Sequence, residues 1–461
     1  MRRRISDVAK EIIHPDTALV QNGSRLMMIT RDKEMKKKTG VYIHIPFCRS
    51  KCVYCDFLSA PPADGQQIKR YLSSLEEEIV KRTDKLPDDI RTADSVFFGG
   101  GTPSLLDPGE LIFVLDLLKN RFIITDDAEI TVECNPGMVG LTRCPEFAVE
   151  EKPKYSPGNE EGEKRKCPEQ NKAEKTKHNP VIEERKYLGK LREAGVNRIS
   201  FGLQSALDNE LKVLGRIHRF QDFKDTFAAA RAAGFKNINA DIISAIPGQT
   251  IESFRETIEK VTELKPEHIS CYSLILEEGT RLFEHIEEFP PLPDEDTERE
   301  MYHLTRECLK AEGYGQYEIS NFARKDGKKD YRCRHNLGYW NRAVYFGFGA
   351  GAASFDGKVR YKNISDVEGY IAASQKEDKT QRETLTVNDA MAEFMFLGLR
   401  KTGGVSEADF FESFGKGLAE VYGDVLKAQM LKGTIVKTDK GYALTELGTD
   451  VSNVVLAEFI L

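Results

Sequence analysis

The chain has 461 residues, a net charge of −7, and 40% hydrophobic and 31% charged residues, a balance typical of a globular protein with two or three domains. The negative net charge gives no reason to expect nucleic acid as a partner. No apolar run approaches the length that spans a membrane. Because no signal peptide accompanies the nine cysteines, we expect a cytoplasmic protein with reduced thiols.

From residue 40 onward the chain alternates between strand, loop and helix. This alternation is typical of a parallel sheet, and six units predict an α/β fold with a partial (β/α)6 TIM-like barrel over residues 40–285. The polar residues 1–39 before it are interpreted as an N-terminal extension. The predicted strands are 42–47, 95–98, 129–133, 198–204, 237–243 and 268–276, and the predicted helices are 66–82, 109–120, 183–194, 220–233 and 251–264.

Three other regions depart from this pattern. Residues 149–180 are dense in Glu, Lys and Pro and predict a disordered insertion, because they bury too little apolar surface to offset their ordering entropy. Residues 286–386 form a linking region with a helix near 296–311. Residues 387–461 predict a small, mostly helical, winged-helix-like accessory domain with a hairpin near 433–444, whose acidic residues argue against a DNA-reading helix.

Three cysteines, Cys48, Cys52 and Cys55, follow the first strand directly, and Pro46 ends that strand. A cubic iron–sulfur cluster held by three thiolates keeps one iron open for another ligand. Structural zinc usually takes four ligands from two separated pairs. The spacing alone leaves the cluster, a zinc site and buried free cysteines open.

Unusual residues collect at the carboxyl ends of the predicted strands, where barrels place their active sites. The glycines of Gly99–Ser104 let a ligand approach the main chain closely. Glu133 is either a partner for a ligand ammonium or a solvated rim carboxylate. Arg216 suits a bidentate grip on a carboxylate. Asp241 lies in an apolar segment and needs donors, such as ribose hydroxyls, which Gln204 could also bind.

Several motifs occur in a fixed order: YIHIPFCRSKCVYCDF, FFGGGTPS, GVNRISFGLQS, LGRIH, INADII and IPGQT. Together they resemble the coproporphyrinogen dehydrogenase-like branch of the radical S-adenosylmethionine (SAM) proteins, and YEISNFA, CRHNLGYW and GFGAGAAS extend the likeness beyond the barrel. The resemblance implies a barrel of the radical SAM type with a [4Fe-4S] cluster on Cys48, Cys52 and Cys55. It also implies SAM contacts at Tyr42, Tyr54, Gly100, Gly101, Thr102, Glu133, Gln204, Arg216 and Asp241.

One position separates two members of this branch. The oxygen-independent coproporphyrinogen III dehydrogenase carries a fourth cysteine two residues after the third, whereas this chain has Phe57, which has no thiol and can only pack. The resemblance is therefore to the haem chaperones, with radical decarboxylation of coproporphyrinogen III in porphyrin biosynthesis as the alternative.

A haem chaperone of this kind implies haem as a ligand and acceptor haemoproteins as partners, such as those of the respiratory chain at the membrane surface. His335, flanked by aromatic residues, is the first candidate for the haem axial ligand, and Cys333 is the second. The alternative for His335 is a hydrogen-bonded structural histidine.

Overall fold

The computed structural model describes residues 38–137, 180–327, 329–373 and 381–460. All but the last two residues of the predicted N-terminal extension, and all but the last residue of the predicted insertion, lie outside these ranges. The described strands are β1 Thr39–Ile45, β2 Thr92–Gly100, β3 Ile123–Cys134, β4 Arg198–Gln204, β5 Ile238–Ser244, β6 His268–Ser273, β7 Tyr314–Glu318, β8 Asn321–Arg324, β9 Tyr345–Phe348, β10 Ala353–Phe355, β11 Val359–Lys362, β12 Gln381–Thr384, β13 Val405–Ser406, β14 Ile435–Lys437 and β15 Gly441–Leu444.

Helices follow most of the barrel strands and occupy most of the last seventy residues. They are α1 Gly65–Thr83, α2 Pro108–Arg121, α3 Pro180–Glu193, α4 Asp208–Val213, α5 Phe220–Ala232, α6 Ile251–Glu263, α7 Arg281–Glu284, α8 Glu295–Ala311, α9 Arg334–Trp340, α10 Val367–Ala373, α11 Val387–Gly398, α12 Glu407–Phe414, α13 Leu418–Leu431, α14 Glu446–Asp450 and α15 Ser452–Ala457.

Strands β1 to β6 pair side by side in chain order, and every one of these pairs is parallel. The predicted α/β fold with a parallel sheet is therefore confirmed. The predicted strand 198–204 has the bounds of β4, whereas β3 begins six residues before its predicted start and β6 ends three residues before its predicted end.

The sheet continues past both predicted edges. Strand β9 pairs in parallel with β1, and β10, β11 and β12 extend that edge with antiparallel pairs. At the other edge β8 pairs antiparallel with β6, and β7 pairs with β8. The result is a sheet of twelve described strands. The sequence did not predict these additions, because strands of three to five residues depend on their neighbours more than on their own propensity.

Local sequence explains where the barrel helices begin. Before α6, the Thr250 hydroxyl accepts a hydrogen bond from the amide of Ser253 at 3.2 Å, and the Ser253 hydroxyl accepts one from the amide of Thr250 at 3.0 Å. This reciprocal cap satisfies two amides that lack helical partners. The buried residues Phe254, Ile258 and Val261 then recur at helical spacing, so the helix lays one apolar face on the sheet.

Residues near the carboxyl end of the chain form a second apolar core, which includes Met395, Phe410, Tyr422 and Phe459. Strands β14 and β15 form the predicted hairpin, and β13 adds to β15 to complete a three-stranded antiparallel sheet. Among the described residues, no helix combines the length and the apolar composition needed to cross a membrane.

Phe201 provides a test of the barrel core. Its side chain on β4 is fully buried, and its ring meets the ring of Phe223 edge-on at a centroid distance of 5.9 Å. We expect Phe201→Ala to lower the free energy of unfolding by about 3–5 kcal/mol, since the change removes buried surface and leaves a cavity. Denaturant unfolding would measure this loss.

Phe113→Ala is the matched control, because Phe113 is 45% exposed and its loss should change stability by about 0.5 kcal/mol or less. Equal effects of the two substitutions would contradict the burial of Phe201.

Candidate functional site

One cavity of about 490 Å³ lies inside the barrel and collects the residues predicted from the sequence. Its size is that of a site for one small molecule or cofactor. The structure brings all thirteen predicted residues to its wall: Tyr42, Cys48, Cys52, Tyr54, Cys55, Gly100, Gly101, Thr102, Glu133, Gln204, Arg216, Asp241 and His335.

The cysteine loop after β1 is held at both ends by backbone hydrogen bonds. The amide of Cys48 donates to the carbonyl of Ala60, and the amide of Ala60 donates to the carbonyl of Pro46, both at 3.0 Å. The amide of Val53 reaches the carbonyl of Leu214 at 3.3 Å. All three thiols are free and half-buried, and burial raises the pKa of Cys48 and Cys55.

The glycine loop after β2 lies directly against this cysteine loop. The amides of Gly101 and Thr102 donate to the carbonyls of Ile45 and Phe47, each at 2.8 Å. A Cβ atom on Gly101 would lie 2.7 Å from the carbonyl oxygen of Phe47. A side chain at this position would therefore push the two loops apart. Gly100 has a φ of +111°, a backbone conformation that favours glycine.

A chain of hydrogen bonds connects two of the cysteines through Asn135. The Asn135 amide nitrogen donates to the Thr102 hydroxyl at 2.8 Å, and this hydroxyl lies 3.3 Å from the sulfur of Cys48. On its other side, the Asn135 oxygen accepts from Arg216 at 2.7 Å, and Arg216 donates to the sulfur of Cys52 at 3.4 Å. Asn135 therefore fixes the donors that face both sulfurs.

Arg216 makes more hydrogen bonds within the protein than the sequence suggested. Besides Cys52 and Asn135, its guanidinium donates to the carbonyl of Gly202 at 2.6 Å. Its Nε atom is buried and has no hydrogen-bond partner. Two of its three nitrogens already donate to protein acceptors, so a bidentate interaction with a ligand carboxylate requires some of these hydrogen bonds to break. The N–H group at Nε donates to no protein acceptor.

Glu133 at the end of β3 is a buried carboxyl group of the cavity with a strongly raised pKa. Burial and, after it, the nearby Asp241 raise its pKa to about 8, while the hydrogen bond from the amide of Gly100 acts in the opposite direction. That amide donates to the Glu133 carboxyl at 3.1 Å. The side chain is therefore mostly protonated at neutral pH until a cationic group arrives beside it.

Asp241 and Gln204 are positioned by the strands that carry them. Asp241 accepts hydrogen bonds from Asn239 at 2.8 Å and from Ser200 at 3.1 Å, and burial raises its pKa. Gln204 has a φ of +75° at a register shift between β4 and β5. Such strain in a residue other than glycine is held by the surrounding fold and is common at binding sites.

His335 is buried at the wall of the cavity and has hydrogen-bond partners at both ring nitrogens. Its Nδ1 lies 3.2 Å from the Ser95 hydroxyl and its Nε2 lies 3.0 Å from the Tyr339 hydroxyl. The ring stacks on Phe97 at a centroid distance of 5.1 Å. Burial lowers its pKa to about 3, so the imidazole is neutral. The other candidate, Cys333, is fully buried, and burial raises its pKa to about 12.

The expectation that Phe57 packs is wrong. The side chain is 65% exposed and lies at the wall of the cavity. Ile275, which follows β6, lines the same cavity and is 59% exposed. Two apolar side chains therefore face solvent beside the cysteine loop, an arrangement that a hydrophobic run in the sequence does not reveal.

The sequence also missed Asn135, Ser200 and Asn239. Asn135 follows the carboxyl end of β3, so its position at a strand end was an available signal. Ser200 and Asn239 lie inside strands, where they alternate with apolar residues. That alternation points them into the barrel.

Two known protein families match this chain, one over the barrel and one near its carboxyl end. Residues 42–152 and 151–261 match the Radical SAM superfamily, and residues 385–451 match the HemN C-terminal domain. The "Heme chaperone HemW" of Bacillus subtilis is 35% identical over 91% of this chain and 99% of its own length. The protein of that name from Escherichia coli is 30% identical over 91% and 98%.

The chain belongs to the HemW family of radical SAM proteins. Among solved structures, the coproporphyrinogen III oxidase HemN of Escherichia coli matches with a TM-score of 0.71 and 22% identity, covering 93% of this chain and 91% of that one. This likeness shows that the HemW-family chain shares the fold of HemN.

The pKa of Glu133 predicts a pH dependence of folding. The folded protein keeps the Glu133 proton up to about pH 8, whereas the unfolded chain releases it near the ordinary value of 4.5. The protonated Glu133 therefore contributes fully to stability below the unfolded pKa of 4.5. This contribution is lost as the pH rises through the folded pKa of about 8. We expect Glu133→Gln, which stays neutral, to gain stability relative to the wild type between pH 5 and pH 8.

Denaturant unfolding of the ligand-free protein across this range checks the expectation. The exposed residue Glu278 gives the control variant, Glu278→Gln, whose stability should run parallel to that of the wild type. If the stability of Glu133→Gln changed with pH in the same way as that of the wild type, Glu133 would be ionised in the folded protein.

Proposed function

We propose that this chain is a haem chaperone that binds a [4Fe-4S] cluster, SAM and haem and passes haem to acceptor haemoproteins. The proposal rests on one observation: three free thiols and the residues expected to contact SAM line the same cavity. The relatives of this chain are named heme chaperones. The described cysteines are all free, as a reducing cytoplasm requires.

The cysteine loop suits an iron–sulfur cluster. Cys48, Cys52 and Cys55 line one cavity, but no three potential metal ligands in the described ranges converge on a single point. A cubic cluster takes each thiolate on its own iron, so thiols spread along one loop fit it. Donors from Thr102 and Arg216 toward two of the sulfurs would stabilise thiolate charge.

The other half of the cavity suits SAM. The protonated Glu133 would ionise beside the ammonium of its methionine part, and Arg216 has the partnerless Nε for a carboxylate. The Asp241 carboxyl would accept from the ribose hydroxyls, with Gln204 beside it. Tyr42, Tyr54 and the glycine loop would close the remaining wall. SAM bound to a reduced cluster supplies radical chemistry, and these residues would bind and orient it.

Haem enters the proposal through the relatives, which carry the name of heme chaperones. The role of His335 as the axial ligand of the haem iron remains a prediction. The geometry adds a condition, because Nε2 binds iron only after its hydrogen bond with Tyr339 opens. The alternative function, decarboxylation of coproporphyrinogen III, has the shared fold of HemN in its favour, but Phe57 offers no group for the chemistry.

The cluster assignment is tested by Cys52→Ser. We expect the anaerobically purified variant to lose most of its iron and sulfide, because a serine hydroxyl replaces a thiolate ligand. Cys308→Ser is the control, since Cys308 lies outside the cavity on α8 and its loss should leave the iron content unchanged. Full iron retention in single serine variants of all three loop cysteines would exclude the cluster.

The chaperone assignment is tested by two assays on the reconstituted protein. Haem titration should shift the Soret band and saturate, and bound haem should pass to an apo-haemoprotein. The same preparation should convert no coproporphyrinogen III to protoporphyrinogen IX under reducing, anaerobic conditions with SAM. Robust conversion without haem binding would replace the chaperone with the dehydrogenase.

A further inference from the structure

We propose that Arg198 is a carboxylate-binding residue at the wall of the barrel cavity, and that it binds a carboxylate of a ligand other than SAM. This inference goes beyond the proposed function, in which Arg198 has no role. It holds whether the carboxylate belongs to a propionate side chain of haem or to a separate organic acid.

Arg198 is a buried arginine whose guanidinium has no partner in the described part of the chain. The side chain is 2% exposed and lines the cavity, and its Nε atom is buried without a hydrogen-bond partner. With the described residues, the guanidinium makes neither a hydrogen bond nor an ion pair. Because arginine stays protonated in proteins, a full positive charge lies here unpaired, which is costly unless a ligand supplies its partner.

The two acidic side chains that attract Arg198, Glu129 and Asp241, make their hydrogen bonds to other groups. The first two amides of α9 donate to the Glu129 carboxyl at 2.9 and 3.3 Å. Asp241 accepts from Asn239 at 2.8 Å and from Ser200 at 3.1 Å. Their attraction therefore acts without direct contact, and the N–H groups of Arg198 remain available to a ligand.

The carboxylate of SAM already has a partner in the proposed function. SAM carries one carboxylate, and Arg216, which donates to the sulfur of Cys52 in the cysteine loop, offers its free Nε to it. Arg198 begins β4, whereas Gln204, an expected SAM contact, ends it. The two ends of this strand are about 20 Å apart. A second arginine at the other end of the strand calls for a second carboxylate.

The charge around Arg198 favours a carboxylate over a phosphate. The planar guanidinium presents paired N–H groups that match the two oxygens of a carboxylate. A carboxylate brings one negative charge, which balances one guanidinium. A phosphate dianion would bring further negative charge beside Glu129 and Asp241, and like charges at short range repel strongly in a buried site.

Denaturant unfolding of the ligand-free protein separates a binding role from a structural role. We expect the unfolding midpoint of Arg198→Met to equal or exceed that of the wild type, since the change removes a buried charge that has no partner. If Arg198 instead held the fold together as the partner of Glu129, the midpoint would fall clearly, as it does when a buried ion pair is broken. That fall would overturn the proposal.

Binding is measured with propionate on the full-length protein carrying its cluster and saturated with SAM. Propionate should raise the melting temperature in a saturable way, whereas propionamide, which has a similar shape and no charge, should not. Arg198→Met should weaken the apparent propionate affinity by about 10-fold or more, the effect of losing a charged hydrogen bond. Arg198→Lys keeps the charge without the paired N–H groups and should lie in between.

The control variant is Arg185→Gln, because Arg185 is an exposed arginine of α3 that does not line the cavity. Its propionate affinity should match that of the wild type. The SAM affinity should be unchanged in every variant. A large loss of SAM affinity in Arg198→Met would assign Arg198 to SAM and overturn the proposal.

Titration with haem and with haem dimethyl ester identifies the source of the carboxylate. If Arg198 binds a haem propionate, the wild type should bind haem about 10-fold more tightly than the ester, and Arg198→Met should bind both equally. Equal affinities in the wild type, together with the propionate effect, would assign the site to a separate organic acid.

The proposal is overturned if neither assay shows a preference for a carboxylate that depends on Arg198. A wild-type protein that binds neither haem nor SAM would overturn the proposed function instead. In that case the propionate assay, run without SAM, still decides the role of Arg198, so the two failures are distinct.

Discussion

Direct contact between the cysteine loop and the glycine loop is the constraint on which the rest of the site depends. Two amides of the glycine loop donate to carbonyls at the end of the cysteine strand, and no side chain fits between them at Gly101. Parallel pairing of β1 and β2 sets this register, since Ile45 lies opposite Gly100. The backbone thus fixes where the thiols lie before any cofactor arrives, which lowers the entropy cost of binding.

Burial disfavours the charged forms of Glu133, Asp241 and His335 in the ligand-free cavity. Burial raises the pKa of Glu133 and of Asp241 and lowers that of His335. A buried unpaired charge is costly, so Glu133 keeps its proton without a ligand, whereas the buried guanidinium of Arg216 is held by hydrogen bonds to protein groups. An incoming cationic group restores the ionised form of Glu133 and gains a strong hydrogen bond in return. The same burial that destabilises the free carboxylates therefore favours a ligand that brings complementary charge.

The sequence predicted the barrel from the alternation of strands and helices, and it predicted the residues of the cavity from strand ends together with the family resemblance. Glu133 and Gln204 end predicted strands, and the carboxyl ends of parallel strands share one rim. Other features depend on distant parts of the chain. The hydrogen bonds of Asn135 join three loops, and the outward position of Phe57 follows from the packing of Leu58 rather than from its own type. The sequence offered a hydrogen-bonded structural histidine as the alternative for His335, but it could not name the partners, because these come from β2 and from the next turn of α9.

The parallel pairing of β9 with β1 has a consequence for biosynthesis. Gly40 pairs with Tyr345, so the strand that carries the cysteine loop lacks its second neighbour until about 300 more residues have left the ribosome. At roughly 5–20 residues per second this interval is about 15–60 s. Throughout it, β1 has an unpaired edge, which is prone to pair wrongly. A finished cysteine strand, with a neighbour on both sides, is therefore available only when synthesis is about three-quarters complete.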